Sequence, residues 1–104
     1  MSNTKSTRNL TDAELEKVAG QFRLLSEPMR LKILQAICVK PLTVGEIVDA
    51  TGATQSNVSK HLSLLSSAGI ITREKNGQFV LYGISNPLTL KLCELVHREL
   101  IPQS

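Results

Sequence analysis

The chain has 104 residues, a mass of 11.4 kDa, a net charge of +3 and an isoelectric point of about 9.1. This length predicts one domain, and the absence of Trp, with one Tyr and two Phe, argues against a large aromatic-walled cofactor pocket, so no cofactor is expected. The charge slightly favours acidic partners such as nucleic acid, and the lack of an apolar run of about 18 residues or of a signal-peptide core predicts a cytoplasmic protein without a membrane partner.

The first part of the chain is a polar arm followed by a helix. Residues 1–10 contain no acid and are expected to form a disordered arm before a single domain at residues 11–102. Thr11 and Glu14 have the spacing of a capping box, in which each side chain hydrogen-bonds to the backbone amide of the other residue. Apolar residues then follow helical spacing, which predicts a helix over about residues 12–25.

A second helix is predicted to begin at Pro28 and to end before Lys40-Pro41. Proline suits the first turn of a helix because its missing N–H group would have no partner there. The apolar face of this helix is expected to contain Leu31, Leu34 and Cys38, with Ile33 and Ile37 alongside.

Two further helices are predicted in close succession. Thr43 and Glu46 form a second capping box, and Gly52 ends the short third helix. Thr54 can cap the fourth helix, and Gly69 suits a left-handed residue beyond its end. The residues expected to face inward are Val44, Ile47 and Val48 in the third helix and Val58, Leu62 and Leu65 in the fourth.

The pattern then changes to that of a β-hairpin. Asn76-Gly77 predicts a type I′ turn, and residues 78–82 are expected to form the returning strand. Asn86-Pro87 opens a last helix, which carries an apolar stripe and ends at Pro102. The order α1-α2-α3-α4-β1-β2-α5 predicts a mainly α protein with a β-hairpin wing, a winged helix-turn-helix. The apolar stripe of the last helix comprises Leu88, Leu92, Val96 and Leu100.

The outer face of the fourth helix is polar and contains no acid. A helix that enters the major groove of DNA needs short hydrogen-bonding side chains to read base edges, and cations or hydroxyls to contact phosphates. A solvated surface helix is the alternative, but such helices normally mix both charge signs, so this face favours DNA. The predicted DNA contacts of this segment are Thr54, Gln55, Ser56, Asn57, Ser59, Lys60, His61 and Ser63.

The predicted wing adds further candidate DNA contacts, namely Arg73, Lys75 and Asn76, with Gln78 nearby and Glu74 between the cations. Cations on a protruding hairpin suit the phosphate backbone or the minor groove. The alternative is that these charges protect an edge strand from aggregation. The position of the wing directly after the fourth helix favours DNA contact.

Four segments resemble motifs of the ArsR/SmtB family of bacterial repressors. Residues 27–34 are similar to its "P-x-R-L-x-I-L" segment, residues 43–47 to "S-V-G-E-L", residues 55–62 to "S-Q-S-x-V-S-x-H-L" and residues 65–71 to "L-x-x-A-G-L-V". The resemblance implies a homodimer that uses its first and last helices as the interface. It also implies a palindromic DNA operator, and repression that an inducer relieves. By the same resemblance, Gln55, Ser56 and Ser59 would read bases, and Lys60, His61 and Arg73 would contact mainly phosphates.

The chain lacks, at the corresponding positions, the residue types that bind metal in members of this family. Its third helix contains no Cys or His, and Asn86-Pro87-Leu88 offers no good ligand at the start of the last helix. His97 and Glu99 are two residues apart and point to different helix faces. No metal site is therefore expected, and His97 is predicted to be solvated or to lie on a dimer surface.

Cys38 and Cys93 leave two interpretations open. Free cysteines in a reducing compartment behave as small buried hydrophobic residues, which favours a structural role. A redox- and sulfur-sensing subgroup of the family pairs a cysteine of helix 2 with one of the last helix, but its positions correspond to Gln35 and Ile101 here. A sensor that uses Cys38 and Cys93 for a thiol-reactive signal or a thiophilic metal is therefore the second interpretation.

Other functions fit the sequence less well. A regulator without an inducer site, or a winged helix that binds a protein partner, remains an alternative, although a protein-binding face would be expected to carry acids or large apolar residues on the fourth helix. An enzyme is not expected, because the chain has no phosphate-binding glycine loop, no clustered carboxylate pair and no His beside a nucleophile motif.

Overall fold

A computed structural model describes residues 9–101 of the chain. Its element order is that of a winged helix-turn-helix, which confirms the predicted fold class. Most of the predicted arm and Pro102, the predicted end of the last helix, lie outside the described residues. The elements are α1 (Asp12–Leu24), α2 (Pro28–Ile37), α3 (Val44–Thr51), α4 (Gln55–Ser67), β1 (Ile71–Asn76), β2 (Phe79–Ile84) and α5 (Leu88–Leu100).

Both predicted capping boxes are present. Thr11 Oγ1 accepts a hydrogen bond from the Glu14 amide at 3.1 Å, and Glu14 Oε1 accepts one from the Thr11 amide at 2.9 Å. Thr43 and Glu46 repeat this arrangement at 3.2 and 2.9 Å. A cap of this kind stabilises a helix by about 1 kcal/mol, so the starts of α1 and α3 are defined by local sequence.

The core lies where α2, α3 and α4 meet the base of the hairpin, and it corrects the predicted apolar face of α2. Ile33, Leu34 and Ile37 are buried, whereas Leu31 and Cys38 are exposed. The helix also ends at Ile37, one turn before Lys40-Pro41, so Cys38 is already its C-terminal cap residue. The buried hydrophobic residues are Leu25, Ile33, Leu34, Ile37, Ile47, Val58, Leu62, Leu65, Ile70 and Ile71.

The hairpin turn differs from the predicted one by one residue. Asn76 pairs with Phe79 at the end of the ladder, so Gly77 and Gln78 are the two central residues of the turn. Gly77 has a φ of 66°, while no residue other than glycine in the described chain has a positive φ. A positive φ at only the first central position is the pattern of a type II′ turn, in place of the expected type I′ turn at Asn76-Gly77.

A short bridge attaches the wing to the helical domain. The Leu42 amide donates to the Tyr82 carbonyl at 3.0 Å, and the Tyr82 amide donates to the Leu42 carbonyl at 2.8 Å. A Cβ atom at Gly83 would lie 3.2 Å from both Pro41 Cγ and Thr72 Oγ1. The α2–α3 connection therefore approaches β2 closely at Gly83, where any larger residue would make a tight contact.

The first and last helices carry apolar side chains that one protomer does not cover. None of the residues of α1 is buried, and Phe22 is 52% exposed. In α5, Leu88, Leu95 and Val96 are also exposed, and only Thr89 is buried. Within residues 9–101, no helix is long and apolar enough to cross a membrane.

Candidate nucleic-acid interface

Helix α4 presents a polar face because its apolar residues repeat at helical spacing. Val58, Leu62 and Leu65 are buried in the core, so the opposite side of the helix points away from the domain. Thr54 Oγ1 accepts a hydrogen bond from the Asn57 amide at 3.2 Å, which fixes the start of the helix. The predicted contact residues exposed on α4 are Gln55, Ser56, Ser59, Lys60 and Ser63, and Asn57 is partly buried.

His61 does not share this exposed face. Its residue surface is 5% exposed, and Arg30 Nε donates to His61 Nδ1 at 3.1 Å. A phosphate contact, as predicted for His61, requires a side chain that reaches solvent, so we remove this residue from the candidate interface. The prediction was wrong because His61 lies at the border of the helical apolar face, where periodicity does not separate buried from exposed positions.

The charged side chains of β1 lie on two opposite faces of the wing. Side chains alternate along a strand, so Arg73 and Lys75 share the face of the buried Ile71, and Glu74 points to the other side. Arg73 lies opposite Tyr82 in the ladder. The two cations therefore face the side of the hairpin that packs against α4, and the acid between them in sequence does not.

A polar cleft of about 180 Å³ separates the second half of α4 from the wing. Arg73 and Tyr82 line it from the wing. When a helix occupies the major groove and a hairpin lies beside the adjacent minor groove, the intervening DNA backbone passes between the two elements. Of the six residues that line the cleft, only Ser63 and Arg73 were predicted contacts, although the serines three and four positions after Ser63 are expected on the same helix side. The α4 residues that line the cleft are Leu62, Ser63, Ser66 and Ser67.

The contacts of Arg30 are a second feature that the sequence pattern does not predict. Its guanidinium group contacts His61 of α4, the Leu24 carbonyl at the end of α1 and the Glu27 carboxylate, the last at 3.5 Å. The Arg30 side chain is 11% exposed. The motif at residues 27–34 contained this arginine, but helical spacing alone does not show which other helix it contacts.

The two cysteines line one groove of about 650 Å³ between α2 and α5. Cys38 is exposed and its Sγ donates to the Gln35 carbonyl at 3.1 Å, while Cys93 is partly buried. The expectation of a buried core thiol is therefore wrong for Cys38. His97 and Glu94 also line the groove, but within the described part of the chain no group of three His, Cys, Asp or Glu residues is arranged to hold a metal ion.

The fold and the exposed face of α4 define the class of winged helix-turn-helix DNA-binding domains. The profile of the bacterial regulatory protein, arsR family, matches residues 27–73. A cadmium resistance transcriptional regulatory protein, CadC, of Listeria innocua is 33% identical over 92 residues, which cover 88% of this chain and 77% of the relative. The chain therefore belongs to the ArsR family of transcriptional regulators.

Two further relatives support this assignment. A probable mercury resistance operon repressor of Streptomyces lividans is 35% identical over 80 residues, which cover 77% of this chain and 64% of that repressor. The homodimeric winged helix-turn-helix DNA-binding domain of Mb0332 from Mycobacterium bovis superposes with a TM-score of 0.74 at 28% identity, covering 92% of this chain and 87% of that one. The chain thus spans less than two thirds of the length of the mercury resistance repressor.

Proposed function

We propose that this protein is a dimeric repressor that places its two α4 helices in successive major grooves of a palindromic operator. The acid-free polar face of α4 carries this proposal, because it is exposed, shares a cleft with Arg73 of the wing and offers hydroxyl, amide and ammonium groups. Because such a repressor acts on the bacterial chromosome, we expect it in the cytoplasm.

The roles of the contact residues follow from their reach and chemistry. Gln55 and Ser56 lie in the first turn of α4, the end that enters the groove first, and with Ser59 we assign them to base edges. Lys60, Arg73 and Lys75 carry charge and are assigned to phosphates. Ser63 hydroxyls suit the backbone that crosses the cleft. Thr54, Asn57 and Asn76 are assigned to the periphery of the DNA interface. Thr54 acts chiefly by capping the start of α4.

The dimer interface is assigned to α1 and α5. Their exposed apolar side chains include Phe22 and Val96, which line one groove with the buried Leu25. Covering such a surface removes apolar area from water, which contributes about 25 cal/mol per Å². The domain of Mb0332, which has the same fold, is homodimeric, and this supports a homodimer here.

Selection from a pool of random DNA duplexes tests operator recognition. The full chain is expected to enrich an inverted repeat whose half-sites are centred about 10 base pairs, or a multiple of one helical turn, apart. A pool that stays random after repeated rounds would contradict the proposal. Binding of a protein partner by the same α4 face would then be the better interpretation.

A second proposal concerns the signal, and it is supported by the shared groove of Cys38 and Cys93. We propose that a thiol-reactive compound such as a small-molecule disulfide oxidises this pair. The two protein thiols would form one disulfide, and the small-molecule disulfide would be reduced to two thiols. A disulfide requires Cα atoms within about 7 Å, so α2 and α5 would be drawn together or locked at this point.

Operator binding by the reduced and the oxidised protein tests this response. Oxidation is expected to weaken operator binding by the wild type and to leave Cys38→Ser and Cys93→Ser unaffected. Mass spectrometry should show a loss of two hydrogens in the wild type only. Equal responses of the wild type and both variants would leave the cysteines with a structural role. Parallel samples loaded with a thiophilic metal or treated with a polysulfide test the two other signals that these thiols could receive.

A further inference from the structure

Arg30 connects three parts of the protomer. Its Nε group donates to His61 Nδ1 at 3.1 Å, and its Nη1 group donates to the Leu24 carbonyl at 3.3 Å. Its Nη2 group lies 3.5 Å from Glu27 Oε2. These contacts join the recognition helix α4 to the end of α1, a helix that we assign to the dimer interface.

The chemistry of the Arg30–His61 contact restricts both partners. Arginine has only hydrogen-bond donors, so His61 Nδ1 must be unprotonated to accept from it, and a neutral ring carries its proton on Nε2. The planar guanidinium group holds its donors in a fixed geometry, which a lysine ammonium cannot reproduce. With Arg30 11% exposed and His61 5% exposed, loss of either partner leaves a largely buried polar group unpaired.

The contacts of Arg30 matter because α1 packs little against the rest of the protomer. No residue of α1 is fully buried within the protomer, and Leu24, its last residue, is the α1 side chain that packs against the core. Leu25, just after the helix, is buried in the core, and Arg30 adds a hydrogen bond to the neighbouring Leu24 carbonyl. The same guanidinium group thus contacts the end of the interface helix and the middle of the recognition helix.

We propose that Arg30 is a positioning residue that sets the orientation of α4 relative to the dimer interface. A dimer reads two half-sites only if its recognition helices are spaced to match about one turn of DNA, roughly 34 Å. A small rotation of α4 in each protomer would prevent the second recognition helix from fitting its half-site. The protein could still contact the phosphates of any duplex. Arg30 would therefore control selectivity for the operator more than general affinity for DNA. This inference rests on the proposed function.

Four variants of the full chain separate the contacts. Arg30→Lys keeps the charge but cannot make all three contacts, and Glu27→Gln removes only the ion pair, whose carboxylate side chain is 52% exposed. His61→Asn places an amide oxygen near the position of Nδ1 and preserves an acceptor, whereas His61→Leu has none. Arg30→Lys and His61→Leu are expected to lower the ratio of operator to random-duplex affinity by about ten-fold. Glu27→Gln and His61→Asn are expected to stay within about three-fold of the wild type.

Amide hydrogen exchange in the free protein provides a readout that does not depend on DNA. In Arg30→Lys and His61→Leu, amides in the middle of α4 are expected to exchange about ten-fold faster while those of α3 stay unchanged, because the lost contact holds α4 and not α3. Equal acceleration in α3 and α4 would indicate general destabilisation and overturn the proposal. His61→Asn should restore the wild-type exchange pattern.

The two readouts also separate this proposal from the proposed function. If the wild type does not select any DNA sequence, operator recognition fails, and the exchange pattern alone decides whether Arg30 positions α4. If Arg30→Lys does not fold, the comparison of His61→Leu with His61→Asn decides the same question. Unchanged selectivity and unchanged α4 exchange in both Arg30→Lys and His61→Leu would overturn the role of Arg30.

Discussion

At the scale of single residues, neighbouring positions on α4 are assigned different tasks. Gln55 carries an amide that can both donate to and accept from a base edge, whereas Lys60 carries a point charge that suits a phosphate. Both side chains are exposed, so replacing either one leaves the core intact. Base contacts distinguish DNA sequences and phosphate contacts do not. Replacing Gln55 is therefore expected to change sequence selectivity, and replacing Lys60 is expected to change the affinity for any duplex.

We expect Gln55→Ala to weaken binding to the selected operator by about 1–3 kcal/mol and to relax selectivity at one base-pair position. Lys60→Ala should weaken binding to operator and random duplexes alike and reduce the salt slope by about one per altered contact. Fluorescence anisotropy titrations with both duplexes measure these effects. Lys17→Ala, which removes the same charge from an exposed position on α1, is the matched control. The same loss of selectivity in both α4 variants would contradict the assignment.

The residues that sequence patterns placed wrongly lie at the edges of helical faces. His61 was expected to be exposed and Cys38 to be buried, and the structure shows the reverse, the histidine buried and the cysteine exposed. The contact between Arg30 and His61 joins residues 31 positions apart in sequence, so no local pattern reports it. By contrast, the exposed serines and Gln55 followed directly from the positions of the buried Val58 and Leu62.

At the scale of elements, caps and glycines determine where helices and turns begin and end. The order of the elements and the two capping boxes were predictable because each depends on residues three or four positions apart. The turn was displaced by one residue because Asn76 and Gly77 both suit turns. The register depends instead on tertiary contacts at the hairpin base, such as the bridge between Leu42 and Tyr82.

Gly77→Ala tests the revised turn. A side chain at a φ of 66° costs roughly 1–2 kcal/mol, so this variant should lower the free energy of unfolding by about that amount. Gln78→Ala, at the second central position, should change it by less than about 0.5 kcal/mol. Chemical denaturation followed by circular dichroism measures both values. A Gly77→Ala variant as stable as the wild type would contradict a positive φ at this position.

Thr54→Ala tests the cap of α4. Loss of the Thr54 Oγ1 acceptor should lower the free energy of unfolding by about 1 kcal/mol, and Thr54→Ser, which keeps a hydroxyl, should retain most of the stability. The same denaturation experiment measures the difference. If Thr54→Ser loses as much stability as Thr54→Ala, the side-chain cap does not contribute.

At the scale of the whole molecule, the protomer has two surfaces that are suited to binding other molecules. The polar face of α4 and the wing cations form the first surface, and the apolar sides of α1 and α5 form the second. The sequence predicted the apolar stripe of α5 but not its exposure. The same periodicity is typical of a helix whose apolar side is buried in its own domain. The structure shows that Leu88 and Val96 are 65% and 48% exposed in one protomer.

Val96→Glu tests the second surface. A carboxylate in an apolar interface is expected to dissociate the dimer, because burying an unpaired charge costs several kcal/mol. Analytical ultracentrifugation should then give a monomer, and operator affinity should fall towards that for random DNA. Lys91→Glu, which introduces the same side chain at an exposed position on the polar side of α5, should remain dimeric. A dimeric Val96→Glu variant with full operator affinity would place the interface elsewhere.

The salt dependence of wild-type affinity for the selected operator and for a scrambled duplex tests the central claim most directly. Two protomers that each use Lys60, Arg73 and Lys75 would contact about six phosphates, which predicts a slope of log K against log salt of about −5. We expect the operator to bind at least about 10³-fold more tightly than the scrambled duplex at physiological salt. Equal affinities for the two duplexes, or an affinity that does not change with salt, would contradict sequence-specific DNA recognition by α4 and the wing.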